Sequence, residues 1–203
     1  MIGLINYGMG NLGSVRTTFE ILNIENSIIS SPQEVKQCTK LVLPGVGNFS
    51  NAMKILNEDG WVEAIYEHTL NAKRPLLGIC LGMQLLSKKG SEGGSVKGLG
   101  LIDGTVEIFN TNSSKIRVPH IGWNSIENIS VNSKLLAGLK NDTDFYFVHS
   151  YFLSSTFEDT AATTNYGIDF CSVVERDNIF GTQFHPEKSS KAGRIILENF
   201  SKI

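Results

Sequence analysis

The amino-acid sequence predicts an α/β protein in one domain over residues 1–203, with a mostly parallel central sheet flanked by helices and a strand-rich second half. Three observations carry this expectation. Up to Gly90, short and wholly apolar runs alternate with amphipathic stretches, the texture of strands buried on both faces and joined by crossover helices. The apolar runs end in glycine, proline or small polar residues, as strands entering turns do. Beyond Gly90 helical periodicity nearly vanishes, and β-rich segments follow until one last amphipathic stretch.

In chain order, residues 2–6 read as a strand and residues 12–22 as a helix with Val15, Phe19 and Leu22 on one face. Residues 28–29 and 41–43 are short buried strands. Residues 52–56 and 62–70 are helical, and the polar character of the second places His68 at a solvated surface. Residues 75–79 form another apolar strand, running into an apolar helix. The segment SEGGSVKGLG is a loop. Residues 101–109, 145–151, 161–166, 172–175 and 179–184 then read as strands, and residues 190–200 as a helix whose inner face carries Ile195, Ile196 and Phe200. No repeat, low-complexity tract or linker divides the chain.

Composition narrows the function. The hydrophobic fraction is 41% and the charged fraction 19%, those of an ordinary globule, and the net charge is −2. Neither nucleic acid nor a membrane surface is an expected partner of so balanced a chain. No segment is long and apolar enough for a signal peptide or a spanning helix. Three cysteines, Cys38, Cys80 and Cys171, lack metal-ligand spacing and point to a reducing cytoplasm without disulfides or a metal site.

The first strand leads into Gly8-Met9-Gly10-Asn11-Leu12-Gly13, which spells the dinucleotide fingerprint G-x-G-x-x-G. A ribose-binding carboxylate should then close the second strand, but that strand runs Asn26-Ser27-Ile28-Ile29 into Ser30. A tight strand-to-helix turn needing glycine explains the pattern without a nucleotide.

The strand ending in Gly78-Ile79-Cys80-Leu81-Gly82 is the cysteine counterpart of the sharp turn that exposes a serine at the top of an α/β sheet. A sulfur there sits at a helix N-terminus, where the dipole favours the anionic, reactive form. A small buried cysteine filling the junction is the other reading. Gly181-Thr182-Gln183-Phe184-His185-Pro186-Glu187 follows a strand, and the proline is expected to keep the segment extended, with His185 and Glu187 on one side. A carboxylate beside an imidazole fixes its tautomer and stabilises its cation, which a thiol nucleophile requires of its base. A solvated ion pair is the alternative. Leu43-Pro44-Gly45-Val46-Gly47 closes another buried strand, and its backbone N–H groups, with that of Leu81, suit an oxyanion. Gln84, four residues beyond Cys80, shares its helical face within reach of a polar substrate. Trp123 and Tyr146, in PHIGWN and FYFVHSY, are polar-tipped aromatics of the kind enriched at interfaces, unless they belong to the core.

Taken together, GICLGMQLL followed by QFHPEKSS resembles the class I glutamine amidotransferase family, whose architecture is flavodoxin-like. Within it, LPGVG, VPHIGWN and YFVHSY resemble the glutaminase subunits of histidine biosynthesis, and the match runs from INYGMGNLGSV to ILENF. The resemblance implies that Cys80 attacks the glutamine side-chain amide to form a thioester. His185 would protonate the departing ammonia and then activate water, with Glu187 orienting it. Gly45, Val46, Gly47 and the Leu81 N–H would hold the oxyanion, and Gln84 with the backbone around Ser150 and Tyr151 would hold glutamine. No cofactor is implied. The implied partner is a (β/α)₈-barrel cyclase that forms a heterodimer with this subunit and receives ammonia through an internal tunnel. It yields imidazole glycerol phosphate and an aminoimidazole carboxamide ribonucleotide. Asn11, Trp123 and Tyr146 would face that partner. Two other readings stay open: a paralogous subunit supplying ammonia for surface-sugar amination, and a cysteine hydrolase on the same turn.

Overall fold

Strand β1 (Ile2–Ile5) is paired in parallel on both sides, by β2 (Asn26–Ile29) and β3 (Lys40–Gly45), which explains why nothing in it is polar. The protein is described from a computed structural model that covers residues 1–110 and 116–203. Beyond β3 the sheet continues through β4 (Leu76–Cys80) and β13 (Ile179–Thr182), both parallel, to β12 (Asp169–Arg176) and β11 (Thr160–Asn165), which are antiparallel. The order in this seven-stranded sheet is β11-β12-β13-β4-β3-β1-β2. The mostly parallel sheet expected from the sequence is therefore present.

Alternation along the strands splits the core in two. Ile5, Leu41, Leu43, Leu76 and Ile179 face one side and meet α2 (Phe49–Glu58) and α3 (Trp61–Tyr66) through Phe49, Met53, Leu56, Trp61 and Ile65. Leu4, Val42, Leu77, Ile79 and Phe180 face the other and meet α1 (Leu12–Ile21) and α5 (Ser190–Lys202) through Val15, Phe19, Ile196, Leu197 and Phe200. A four-stranded sheet holds β5 (Ser87–Gly90), β6 (Val96–Lys97), β7 (Ile102–Ile108) and β10 (Tyr151–Ser155) in the order β10-β7-β5-β6. The hairpin β8 (His120–Ile126)–β9 (Thr143–His149) packs Ile126, Phe145 and Phe147 into the second core.

Several elements depart from the sequence reading for identifiable reasons. Helix α2 begins at Phe49 because Asn48 caps it, its side-chain oxygen accepting from the Asn51 N–H at 3.0 Å. The apolar helix after Cys80, α4 (Leu81–Leu85), lasts five residues. Its last carbonyls are captured from outside: Leu99 N–H donates to Leu85, and Leu101 and Ile102 donate to Leu86. The run 145–151 breaks at Ser150 into β9 and β10. His68 is buried, not solvated, because residues 67–71 form a π-turn that rotates it inward, where its Nε2 meets the Pro75 carbonyl at 3.2 Å. Two of the three opening glycines have a structural duty. Gly8 has φ +89°, and Gly10 lies against the Pro44 carbonyl, 3.3 Å from where a β-carbon would sit. Among the described residues no helix is long and apolar enough to cross a membrane.

Candidate active site

Strand β4 runs between β3 and β13 and delivers Cys80 at its C-terminal end, where open α/β sheets bind ligands. Cys80 itself has φ +55° and ψ −110°, a conformation side chains rarely adopt, so the surrounding structure must impose it. Two glycines do so. A β-carbon on Gly78 would lie 2.6 Å from the Gly82 carbonyl, and one on Gly82 would lie 1.7 Å from the Leu43 oxygen. Helix, turn and strand are thus packed backbone to backbone, and the sulfur is aimed into a cleft of about 300 Å³.

That cleft is lined by Cys80, His185, Leu81, Gln84, Val46, Gly47, Ser150 and Tyr151 among the residues expected from the sequence, together with Glu92, Pro119, Val148 and His149. Gly45 pairs with Cys80 across β3–β4, Gly47 has φ +101°, and Val46 is exposed, so this segment overhangs the sulfur. Beneath it the buried Tyr7 hydroxyl lies near Gly45 and has no hydrogen-bond partner among the described residues; burial first, and the Cys80 charge second, hold its pKa above the usual range.

His185 is clamped from three sides. Its N–H donates to the Tyr146 carbonyl at 3.0 Å, its carbonyl accepts from the Ser189 hydroxyl at 2.6 Å, and that hydroxyl accepts from the Tyr146 N–H. Residues Pro186–Lys188 form a 3₁₀ turn and not the extended segment expected, because proline's fixed φ suits the first helical position. The turn brings the Glu187 carboxylate to 2.8 Å from His185 Nδ1, with both side chains buried. Burial opposes charge on the imidazole, but the Cys80 sulfur and the Glu187 carboxylate outweigh it and push its pKa up to about 10. The site thus favours an imidazolium beside the sulfur.

Gln84 faces the cleft, yet its amide is committed: Nε2 donates to the Tyr151 carbonyl at 2.8 Å and to Gln183 Oε1 at 3.1 Å. The Tyr151 carbonyl also accepts from His149 Nδ1 at 2.8 Å, so both its lone pairs are filled from within the protein. Sequence reasoning passed over Gln183, whose Nε2 lies 3.8 Å from the Cys80 sulfur, and Glu92, which accepts from the Phe49 N–H at 2.7 Å at the cleft rim. Gln183 follows a strand and looks like ordinary alternation; Glu92 sits in a glycine-rich loop. Neither carries a local signal.

Asn11, Glu187, Lys188 and Arg194 line a second cavity of about 600 Å³, so the His185–Glu187 pair stands between it and the cleft. Trp123 is 54% exposed and pairs edge-on with Tyr146 across β8–β9, with ring centroids 6.2 Å apart. The core alternative for Trp123 is excluded.

Three other histidines are buried as neutral rings, chiefly through desolvation: His68 and His120 are lowered to about 4 and His149 to about 3. Because their folded pKa values lie below the unfolded value of 6.5, the stability they contribute is present above pH 6.5 and is lost as pH falls toward 4. The melting temperature should decline through that window, and His68→Gln should flatten the decline. An identical acid limb in this variant would mean His68 titrates normally when folded.

The profile of the glutamine amidotransferase class-I family matches residues 5–203. Over its whole length the chain is 46% identical to all of the imidazole glycerol phosphate synthase subunit HisH 1 of Campylobacter jejuni. It is 44% identical to HisH of Leptospira interrogans, again with both chains fully covered. Among solved structures, a glutamine amidotransferase superposes with a TM-score of 0.76 at 19% identity, over 100% of this chain and 99% of that one. PurLQS from Thermotoga maritima gives 0.76 at 14% identity, over 99% and 97%. With its full-length match, its sheet order and a cysteine turn facing a buried His–Glu pair, the chain belongs to the class I glutamine amidotransferase family.

Proposed function

We propose that this protein is the glutaminase subunit of imidazole glycerol phosphate synthase, hydrolysing glutamine and passing the ammonia to a (β/α)₈-barrel cyclase. The chemistry rests on one observation, the buried His185 that is bonded to the Glu187 carboxylate and lines one cleft with the Cys80 sulfur. The pathway rests on the HisH relatives. Three free cysteines accord with the reducing cytoplasm.

The thiolate of Cys80 attacks the side-chain amide carbon of glutamine. The oxyanion forms under the Gly45–Val46–Gly47 backbone and the Leu81 N–H, the groups that border the sulfur. Imidazolium at His185 gives its Nε2 proton to the departing nitrogen, so ammonia leaves and a thioester remains. Neutral His185 then takes a proton from water, which attacks the thioester and releases glutamate. Through both halves Glu187 holds Nδ1–H, which keeps Nε2 as the reacting nitrogen. Because Gln84 Nε2 and the Tyr151 carbonyl are engaged with each other, and the Ser150 carbonyl accepts from Phe109, glutamine is held by the Gln84 side-chain oxygen and the backbone N–H groups at Ser150 and Tyr151.

Two expectations follow from the triad. Glu187→Gln should lower kcat by roughly 10²- to 10⁴-fold with a smaller change in KM, since a neutral amide neither fixes the tautomer nor stabilises the cation. An unchanged kcat would make Glu187 structural. The ratio kcat/KM should persist through mildly alkaline pH and fall as pH passes about 10, where the free enzyme's His185 proton is lost. A fall centred near 6.5 would contradict the ion pair.

Trp123, Tyr146 and Asn11 form the face we assign to the cyclase. Free ammonia becomes ammonium in neutral water and ceases to be a nucleophile, so hydrolysis uncoupled from a partner wastes glutamine. The deciding experiment measures glutaminase activity of the chain alone, with the cyclase of histidine biosynthesis, and with cyclase plus its ribonucleotide. Activity should be lowest alone and highest in the full mixture. Equal rates in all three would contradict the assignment and favour the sugar-amination branch or a free-standing hydrolase.

A further inference from the structure

Beside the triad lies a buried polar chain whose histidines and Gln183 no step above uses. His120 and His149 face each other in register on β8 and β9, and both are buried. His120 Nδ1 lies 3.0 Å from His149 Nε2, and Asn124 Nδ2 lies 3.3 Å from His120 Nε2. His149 Nδ1 reaches the Tyr151 carbonyl, Gln84 reaches the same carbonyl and Gln183, and Gln183 reaches the Cys80 sulfur.

The proton positions along this chain are dictated from both ends. A carbonyl can only accept, so His149 must carry its proton on Nδ1 and must accept at Nε2. His120 therefore carries its proton on Nδ1 and accepts at Nε2. From the far end the same answer arises. Asn124 Oδ1 accepts from the Ser125 N–H at 2.9 Å and its Nδ2 donates to the Asn165 carbonyl at 3.0 Å, which leaves an N–H to offer His120. On the other arm, the Tyr151 carbonyl requires the nitrogen end of Gln84. Gln84 then presents N–H to Gln183, which must answer with its oxygen. The NH₂ of Gln183 has one direction left, toward sulfur.

We propose that Gln183 is a further catalytic residue, its side-chain N–H donating to the Cys80 thiolate, and that His120, His149 and Gln84 are positioning residues that keep that N–H pointed at the sulfur. The inference rests on Cys80 being the nucleophile. A reversed Gln183 amide would set an oxygen lone pair against the thiolate, and the network forbids the reversal by leaving two N–H donors face to face at Gln84. Sandwiching fixes the His120 ring as well: it stacks on Phe147 at 4.9 Å and on Tyr166 at 3.9 Å. Both histidines are held neutral, so the chain adds direction without adding charge. The titratable groups around the sulfur are then His185, with Glu187 behind it, the Tyr7 hydroxyl beneath Gly45, neutral His149, and the Glu92 carboxylate at the cleft rim.

The test is the pH dependence of Cys80 alkylation by iodoacetamide in the intact protein, read by mass spectrometry of the Cys80 peptide. Cys38 and Cys171 are internal controls, since burial holds both thiols above their ordinary pKa. Gln183→Met keeps the length and removes the N–H; the alkylation midpoint should rise by about one pH unit, with a roughly tenfold fall in kcat/KM. His120→Phe preserves the stack and leaves His149 Nε2 without its donor, and should move the midpoint the same way by less. It also keeps the test decisive if Gln183→Met folds poorly. A residue that merely packs would leave the midpoint alone. If wild-type Cys80 reacts no faster than an ordinary cysteine, the nucleophile assignment falls and this inference with it. A reactive wild-type Cys80 with the same midpoint in both variants overturns the inference only.

Discussion

Cys80→Ser is expected to lower kcat for glutamine hydrolysis by roughly three orders of magnitude or more while the protein stays folded. The two side chains differ by one atom, so the cleft and the strained backbone at φ +55° are retained. What changes is the nucleophile. A hydroxyl is not ionised near neutral pH, and removing the sulfur also removes one of the two partners that hold the His185 cation, so no thiolate–imidazolium pair is ready to attack. Neither remaining cysteine can substitute: Cys38 and Cys171 are buried in the cores with raised pKa values, Cys171 at about 11. Steady-state glutamate release and thermal melting measure the two halves of the expectation. Turnover within tenfold of wild type would remove Cys80 from the mechanism.

The largest effect on folding is expected at Gly82. A β-carbon there would sit 1.7 Å from the Leu43 carbonyl oxygen, and that oxygen belongs to a central strand with no freedom to retreat. Gly82→Ala must therefore pry α4 away from β3 and should cost upwards of about 4 kcal/mol, lowering the melting temperature by about 10 °C or more. The turn that exposes Cys80 is distorted by the same displacement, so any folded fraction should be poorly active. Gly13→Ala is the matched control, because among the described residues nothing lies within 4 Å of its β-carbon position and the residue is exposed in α1. Alanine there should be neutral or stabilise by about 0.5–1 kcal/mol. A Gly82→Ala protein that melts with the wild type would contradict the close backbone packing.

The parts of this site that could be read from the sequence are those written in local geometry. Gly78 and Gly82 bracket Cys80 because the turn cannot close around any larger side chain, and that requirement leaves its mark within five residues. The apolar runs at β1, β3 and β4 similarly announce strands covered on both faces. What stayed hidden depends on residues distant in the chain. Gln183 gains its meaning from Gln84 and Cys80, and Gln84, besides facing the cleft, becomes a link because Tyr151 comes to meet it. His68 looks solvated in a helix of ordinary pitch and is buried by a π-turn. The helix after Cys80 ends early because residues 99–102 cross it and take its carbonyls. Each miss is a tertiary contact overriding a local pattern.

The most direct test of the glutaminase mechanism is covalent capture by a diazoketone analogue of glutamine, located by mass spectrometry of the peptides. The analogue carries glutamine's α-amino and carboxylate groups into the cleft and alkylates a thiolate placed where the amide carbon would lie. Stoichiometric labelling of Cys80 is expected, with activity lost in proportion, protection by glutamine, and no label on Cys38 or Cys171. Full loss of activity with the label elsewhere, or full labelling of Cys80 with activity retained, would contradict the assignment of Cys80 as the nucleophile.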